Sequence, residues 1–93
     1  MIKSFYCKET QRIFKREPSS KFPSSIQRSA ARKLLMIDAA TSLRDLRTPP
    51  SNHLEKLRGK RKRQYSIRIN DQWRICFEWK QGNAYKTEIF DYH

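Results

Sequence analysis

Cysteine is nearly absent: Cys7 and Cys76 stand far apart in a 93-residue chain, with no second pair beside either. That excludes a disulfide-stapled scaffold and leaves a zinc site without its usual ligand spacing, so reduced thiols packed in a small core are expected. Long apolar runs are missing as well. No stretch nears the roughly 18 consecutive apolar residues that cross a bilayer, and the opening "MIKSFYCKETQ" has no apolar signal core. A cytoplasmic protein with no membrane partner is the expectation. Nothing resembles a P-loop, a metal-ligand cluster or a Ser/Cys nucleophile constellation, so neither a metal nor a cofactor is expected. Acidic residues are scarce, with 9 Asp plus Glu against 21 Lys plus Arg.

What is present follows from that imbalance. The formal charge is +12 and the pI about 10.2, the range of nucleic-acid binders. Self-repulsion at this density disfavours a compact state unless an anion relieves it, and composition does not choose between RNA, DNA, an acidic protein or an anionic surface. A hydrophobic fraction of 37% with 12% aromatics supports a core rather than disorder. The length suits one domain, residues 1–93.

Along the chain, "IKSFY" (2–6) reads as a first strand and "KETQRIFKRE" (8–17) as a short helix stopped at Pro18. "PSSKFPSS" (18–25) is a connection. Ser24 and Gln27 have capping-box spacing, and Ile26, Ala30, Leu34 and Ile37, widened by Ala31 and Leu35, mark a helix running to about residue 40. Its other side carries Arg28, Arg32 and Lys33, charges that are either solvated or turned to an anionic partner. Pro49-Pro50 interrupts the next stretch. Period-two alternation then takes over. Tyr65, Ile67 and Ile69 share one strand face, as do Trp73, Ile75, Phe77 and Trp79, with Ser66, Arg68, Arg74, Cys76 and Glu78 opposite; a third strand over 84–90 alternates less cleanly. The order β-α-α-β-β-β implies an α+β fold, with two N-terminal helices on one face of a small, twisted, mainly antiparallel sheet. The other sheet face is expected to be open, carrying Arg68 and Arg74.

Four features converge on that open face. Lys56, Arg58, Lys60, Arg61, Lys62 and Arg63 form a basic run suited to a phosphate backbone, or a solvated loop. Arg68 and Arg74 can clamp a phosphate and stabilise added negative charge in a transition state. Asp91, Tyr92 and His93 occupy the last three positions; imidazole titrates at about 6.5, a phenol donates, and a carboxylate orients the imidazole or acts as base. "NHLEKLRG" (52–59) brings His53, Glu55 and Arg58 into one turn, as a second acid or base or as a polar connector. These groups suit metal-free cleavage of a ribose phosphodiester. A base takes the 2′-hydroxyl proton, the oxygen attacks phosphorus, and an acid protonates the departing 5′-oxygen.

The stretches "TSLRDLRTPPSNHLEKLRG" (41–59) and "QYSIRINDQWRICFEW" (64–79), with the closing "DYH", closely resemble the HigB toxins, or killer proteins, of bacterial toxin–antitoxin systems in the RelE/ParE superfamily. The resemblance implies a RelE-like fold and a metal-independent endoribonuclease that enters the ribosomal A site and cuts mRNA. It also implies a HigA-type helix-turn-helix antitoxin as partner, operator DNA being met through that complex. On the resemblance, Asp91, Tyr92 and His93 coincide with the catalytic end, Arg74 with the phosphate-binding arginine, and Arg58 with a basic position. One departure stands out: Glu55 occupies a place where the family often has histidine, and His53 lies two residues earlier, leaving the acid and base roles undivided. The opposing class is a non-catalytic basic relative, such as a ParE-like gyrase inhibitor.

Overall fold

The apolar stripe of the long helix organises the fold. In the computed structural model, which describes residues 1–92, α2 spans Ser24–Ala39 and buries Ile26, Ala30, Ala31, Leu34 and Ile37. It packs beside α1 (Lys8–Phe14), which contributes Ile13, and both lie against one face of a four-stranded sheet. A short α3 (Leu43–Arg47) adds Leu46 to the core. The strands are β1 (Glu55–Lys56), β2 (Gln64–Arg68), β3 (Trp73–Lys80) and β4 (Asn83–Asp91), antiparallel in the order β1-β2-β3-β4. The expected α+β architecture and the antiparallel C-terminal meander are thus present. Ile67, Ile75 and Phe77 point into the helix-covered core, as period-two alternation requires.

The weak alternation of β4 has a local cause. Ile75 pairs with Ile89 and Cys76 with Glu88, but Glu78 pairs with Tyr85, so the register slips by one residue. Lys86 sits there at φ 53°, and the bulge lets Ala84, Thr87 and Ile89 all face inward despite their mixed spacing. Gln81 and Gly82, at φ 50° and 78°, close the β3–β4 hairpin with the two positive-φ residues of a type I′ turn.

Four expectations need correction. Residues 2–6 form no full strand: Ile2 and Phe5 make isolated parallel bridges to Ala84 and Thr87, which cover the β4 edge. The pattern misled because apolar residues at a terminus pack equally well as an edge cover. The capping box does not form. Pro23 is the N-cap, and Gln27 Nε2 instead donates to the carbonyls of Ser19 and Phe22 at 2.8 Å each, tying the connection to α2. Leu35, counted with the apolar stripe, is 46% exposed, whereas Lys33 from the supposedly polar side is buried. Finally, the second sheet face is not open. Ser66, Arg74 and Cys76 are buried on it because residues 49–63 fold back across the strands.

Candidate functional site

The returning segment builds one wall of a cleft on this second face. After the 3-10 turn Pro50–Asn52, His53 takes a left-handed conformation (φ 44°), and the chain extends into β1, where Glu55 registers opposite Ser66. Leu57 N–H bonds the Gln64 carbonyl at 2.9 Å, and Gly59, at φ 66°, starts a second 3-10 turn, Gly59–Arg61. Glu55, Lys56, Leu57, Arg58 and Arg61 then face Phe90 and Tyr92 of the β4 end across a cleft of about 610 Å³.

Arg74 lies beneath. It is 4% exposed, which corrects its expected place on an open surface. Its Nε donates to Ser66 Oγ at 2.8 Å, and its Nη2 donates to the carbonyls of Ser66 (3.3 Å) and His53. Nη1 is the nitrogen on the Glu55 side, 3.6 Å from Oε1, and the guanidinium stands 5.3 Å from the Tyr92 ring centre. Burial lowers its affinity for the proton, while Glu55 and Tyr92 act in the other direction. Arginine stays charged through such shifts. The result is a fixed cation under the cleft floor, aimed at a carboxylate and a phenol.

Arg61 forms the far side. Its Nη1 donates to Glu88 Oε1 and Cys76 Sγ at 3.0 Å each and to Gln64 Oε1 at 2.9 Å, and its guanidinium rests 4.8 Å above the Phe90 ring. Burial opposes its charge, but the bonds to Glu88 and the proximity of Cys76 outweigh it and raise its pKa. Burial likewise pushes the Cys76 thiol up to about 12, so it is an uncharged bridge between Arg61 and Glu88. Phe90 and Tyr92 meet edge to face at 5.9 Å. The cleft therefore alternates cation and aromatic, a surface that suits phosphates and flat bases together.

Of the predicted site residues, Glu55, Lys56, Arg58, Arg61 and Tyr92 converge on this cleft, with Arg74 under it. Lys56 and Arg58 also line a neighbouring hollow of about 600 Å³ with Lys62 and Arg63, so the basic run turns a cationic flank outward; Lys60 is exposed beside it. Arg68 registers opposite Arg74 but is ion-paired to Asp71 at the hairpin and does not line the cleft. Asp91 ends β4, and its Oδ2 accepts from Gln72 Nε2 at 3.0 Å. The Gln72 carbonyl also accepts the Tyr92 N–H at 2.6 Å. Gln72 thus holds the approach to the chain's end, a role the sequence reading missed because a glutamine in a turn carries no chemical signature. Phe90 was missed too, standing on the strand whose bulge obscured its faces, whereas Glu88, expected on this face as a cross-strand charge, pairs there with Arg61. His93 lies outside the described residues.

Comparison with known proteins bears on this arrangement. A family model described as the RelE-like toxin of type II toxin–antitoxin system HigB matches residues 3–93. Toxin HigB-1 of Vibrio cholerae serotype O1 is 48% identical over 67 residues, covering 72% of this chain and 70% of that protein. Endoribonuclease HigB of Proteus vulgaris is 33% identical over 93 residues, covering both chains completely. An uncharacterized protein of Haemophilus influenzae is 48% identical over 65 residues, covering 70% of this chain and 64% of its own length. With the family matched from residue 3 to residue 93 and the helix-covered antiparallel sheet in place, the chain belongs to the HigB-like family of RelE-like toxins of type II toxin–antitoxin systems.

Proposed function

We propose that this chain is a ribosome-dependent, metal-independent mRNA endoribonuclease that inhibits translation in the cytoplasm. A HigA-type antitoxin restrains it, ribosome and mRNA are its targets, and operator DNA is met through the antitoxin complex. One observation carries the reading: a carboxylate, a phenol and several cations converge on one cleft, with Glu55 3.6 Å and the Tyr92 ring centre 5.3 Å from the Arg74 guanidinium. The Proteus vulgaris relative, aligned end to end, is named an endoribonuclease, which supports the same reaction class.

In this reading the scissile phosphate sits between Arg58, Arg61 and Arg74, whose charges stabilise the extra negative charge of a pentacoordinate phosphorane. A base removes the 2′-hydroxyl proton, the 2′-oxygen bonds to phosphorus, and the bond to the 5′-oxygen breaks as an acid delivers a proton to it. The products are a 2′,3′-cyclic phosphate and a 5′-hydroxyl. Glu55 and His93 share the base and acid roles, Asp91 orients His93, and Tyr92 bonds the phosphate or stacks on a base.

Mapping of 5′ ends on a defined mRNA bound to programmed ribosomes tests this, with naked RNA as control. Cuts near the A-site codon are expected for wild type, reduced about 10²-fold or more in Glu55→Gln and His93→Ala. Growth arrest without such cuts would instead make the chain a non-catalytic toxin that blocks another target.

A further inference from the structure

Three cations mark the outer side of α2 in the sequence, but they do not share a fate. Arg28 and Arg32 are exposed, while Lys33 is 6% exposed. Its ammonium donates to Oδ1 of Asn52, itself fully buried, and Asn52 Nδ2 donates to the Leu46 carbonyl at 3.0 Å. Burial, assisted by nearby Arg32, lowers the Lys33 pKa.

A buried ammonium is an expensive way to fill space, since a hydrophobic side chain of similar size often leaves a fold as stable or more so. The bonds that leave Asn52 suggest a different use. Asn52 ends the Pro50–Asn52 turn, and its N–H bonds the Pro49 carbonyl at 3.0 Å. The next residue, His53, is held in the left-handed region and turns its carbonyl onto Arg74 Nη2. Two residues later Glu55 faces Arg74 Nη1. An unbroken path of bonds therefore runs from the helix layer, through the sheet-covering turn, to the cation under the cleft.

We propose that Lys33 is a positioning residue: by pinning Asn52 it fixes the His53 carbonyl, and through it the orientation of Arg74 and Glu55. Lys33 does not touch substrate and acts through the turn alone. The geometric part stands independently of the chemistry proposed above, and only its kinetic consequence rests on that reading.

The test is Lys33→Met in the full chain, followed by hydrogen exchange of the Arg74 guanidinium Nε–H in NMR and by ribosome-programmed cleavage. The variant is expected to fold, with a melting temperature within about 8 °C of wild type. Arg74 Nε–H exchange should quicken at least about tenfold, and the maximal cleavage rate should drop about tenfold, while affinity for a short single-stranded RNA changes less than about twofold. Arg28→Met, on the exposed side of the same helix, should match wild type in all three. Unchanged Arg74 exchange in Lys33→Met overturns the proposal, whatever the activity. Should Lys33→Met not fold, Lys33→Leu, which also removes the donor to Asn52, takes its place; quickened Arg74 exchange in that folded variant supports positioning and unchanged exchange refutes it. A wild type that cuts no RNA would sink the nuclease reading, and the exchange result alone would then decide the role of Lys33.

Discussion

Arg74 shows how a single residue can be found by sequence and still be misplaced by it. Alternation put it on the face away from the helices, which is correct, yet that face is covered there by His53 and Glu55. Removing its side chain strands Ser66 Oγ and the carbonyls of Ser66 and His53, acceptors that are costly to bury unpaired. Arg74→Ala is therefore expected to lose about 2–4 kcal/mol of stability along with activity, measured by urea unfolding. Unchanged stability would mean that the guanidinium is not held as described. Cys76 offers a second check at this scale. Its pKa rises from 9.0 to about 12 on folding, so the unfolded chain releases the proton first. Its contribution is whole below pH about 9 and is lost as pH climbs through about 12. Wild type should accordingly lose stability over that window relative to Cys76→Ala, and native Cys76 should resist alkylation at pH 8 while Cys7, half-exposed and with a lowered pKa, reacts.

At the scale of elements, burial and backbone conformation decide what the sequence discloses. Leu34 is fully buried on α2, and Leu34→Ala should cost about 2–5 kcal/mol in the same unfolding assay. Lys86 behaves differently from an ordinary strand residue. Glycine inside a strand normally weakens it, but Lys86 is exposed and left-handed, so Lys86→Gly should be neutral or stabilise by up to about 1 kcal/mol. A clear loss of stability would argue against the bulge. The same two residues explain what was legible. The α2 stripe and the faces of β2 and β3 were readable because burial repeats at the period of the backbone. In β4 one inserted residue reverses the faces, hiding Phe90 from a period-two reading. Residues 49–63 were opaque for another reason: their fold depends on which strand atoms accept their bonds, and nothing in "NHLEKLRG" announces that His53 offers a carbonyl to Arg74 or that Lys33 meets Asn52. Glu55, Arg58 and Tyr92 were found as chemically capable groups expected on one sheet face, and the walled cleft that joins them could come only from that fold.

Across the whole molecule the +12 charge matters through its distribution. Lys56, Arg58, Lys62 and Arg63 line the hollow beside the cleft, whereas Lys8 and Lys15 flank a groove along α1. A uniform field would attract RNA everywhere and would make every lysine equivalent. A strand laid in the cleft instead releases counterions where its phosphates meet cations, each contact adding about 0.7 to the slope of log affinity against log salt for a single strand. Lys62→Gln with Arg63→Gln should therefore flatten that slope by about 1.4, while Lys8→Gln with Lys15→Gln leaves it nearly unchanged. Fluorescence anisotropy of a labelled single-stranded RNA across a salt series reads both. Equal flattening by the two pairs would show that attraction is diffuse, and the basic flank would then be a source of general affinity with no part in guiding the strand to Glu55 and Arg74.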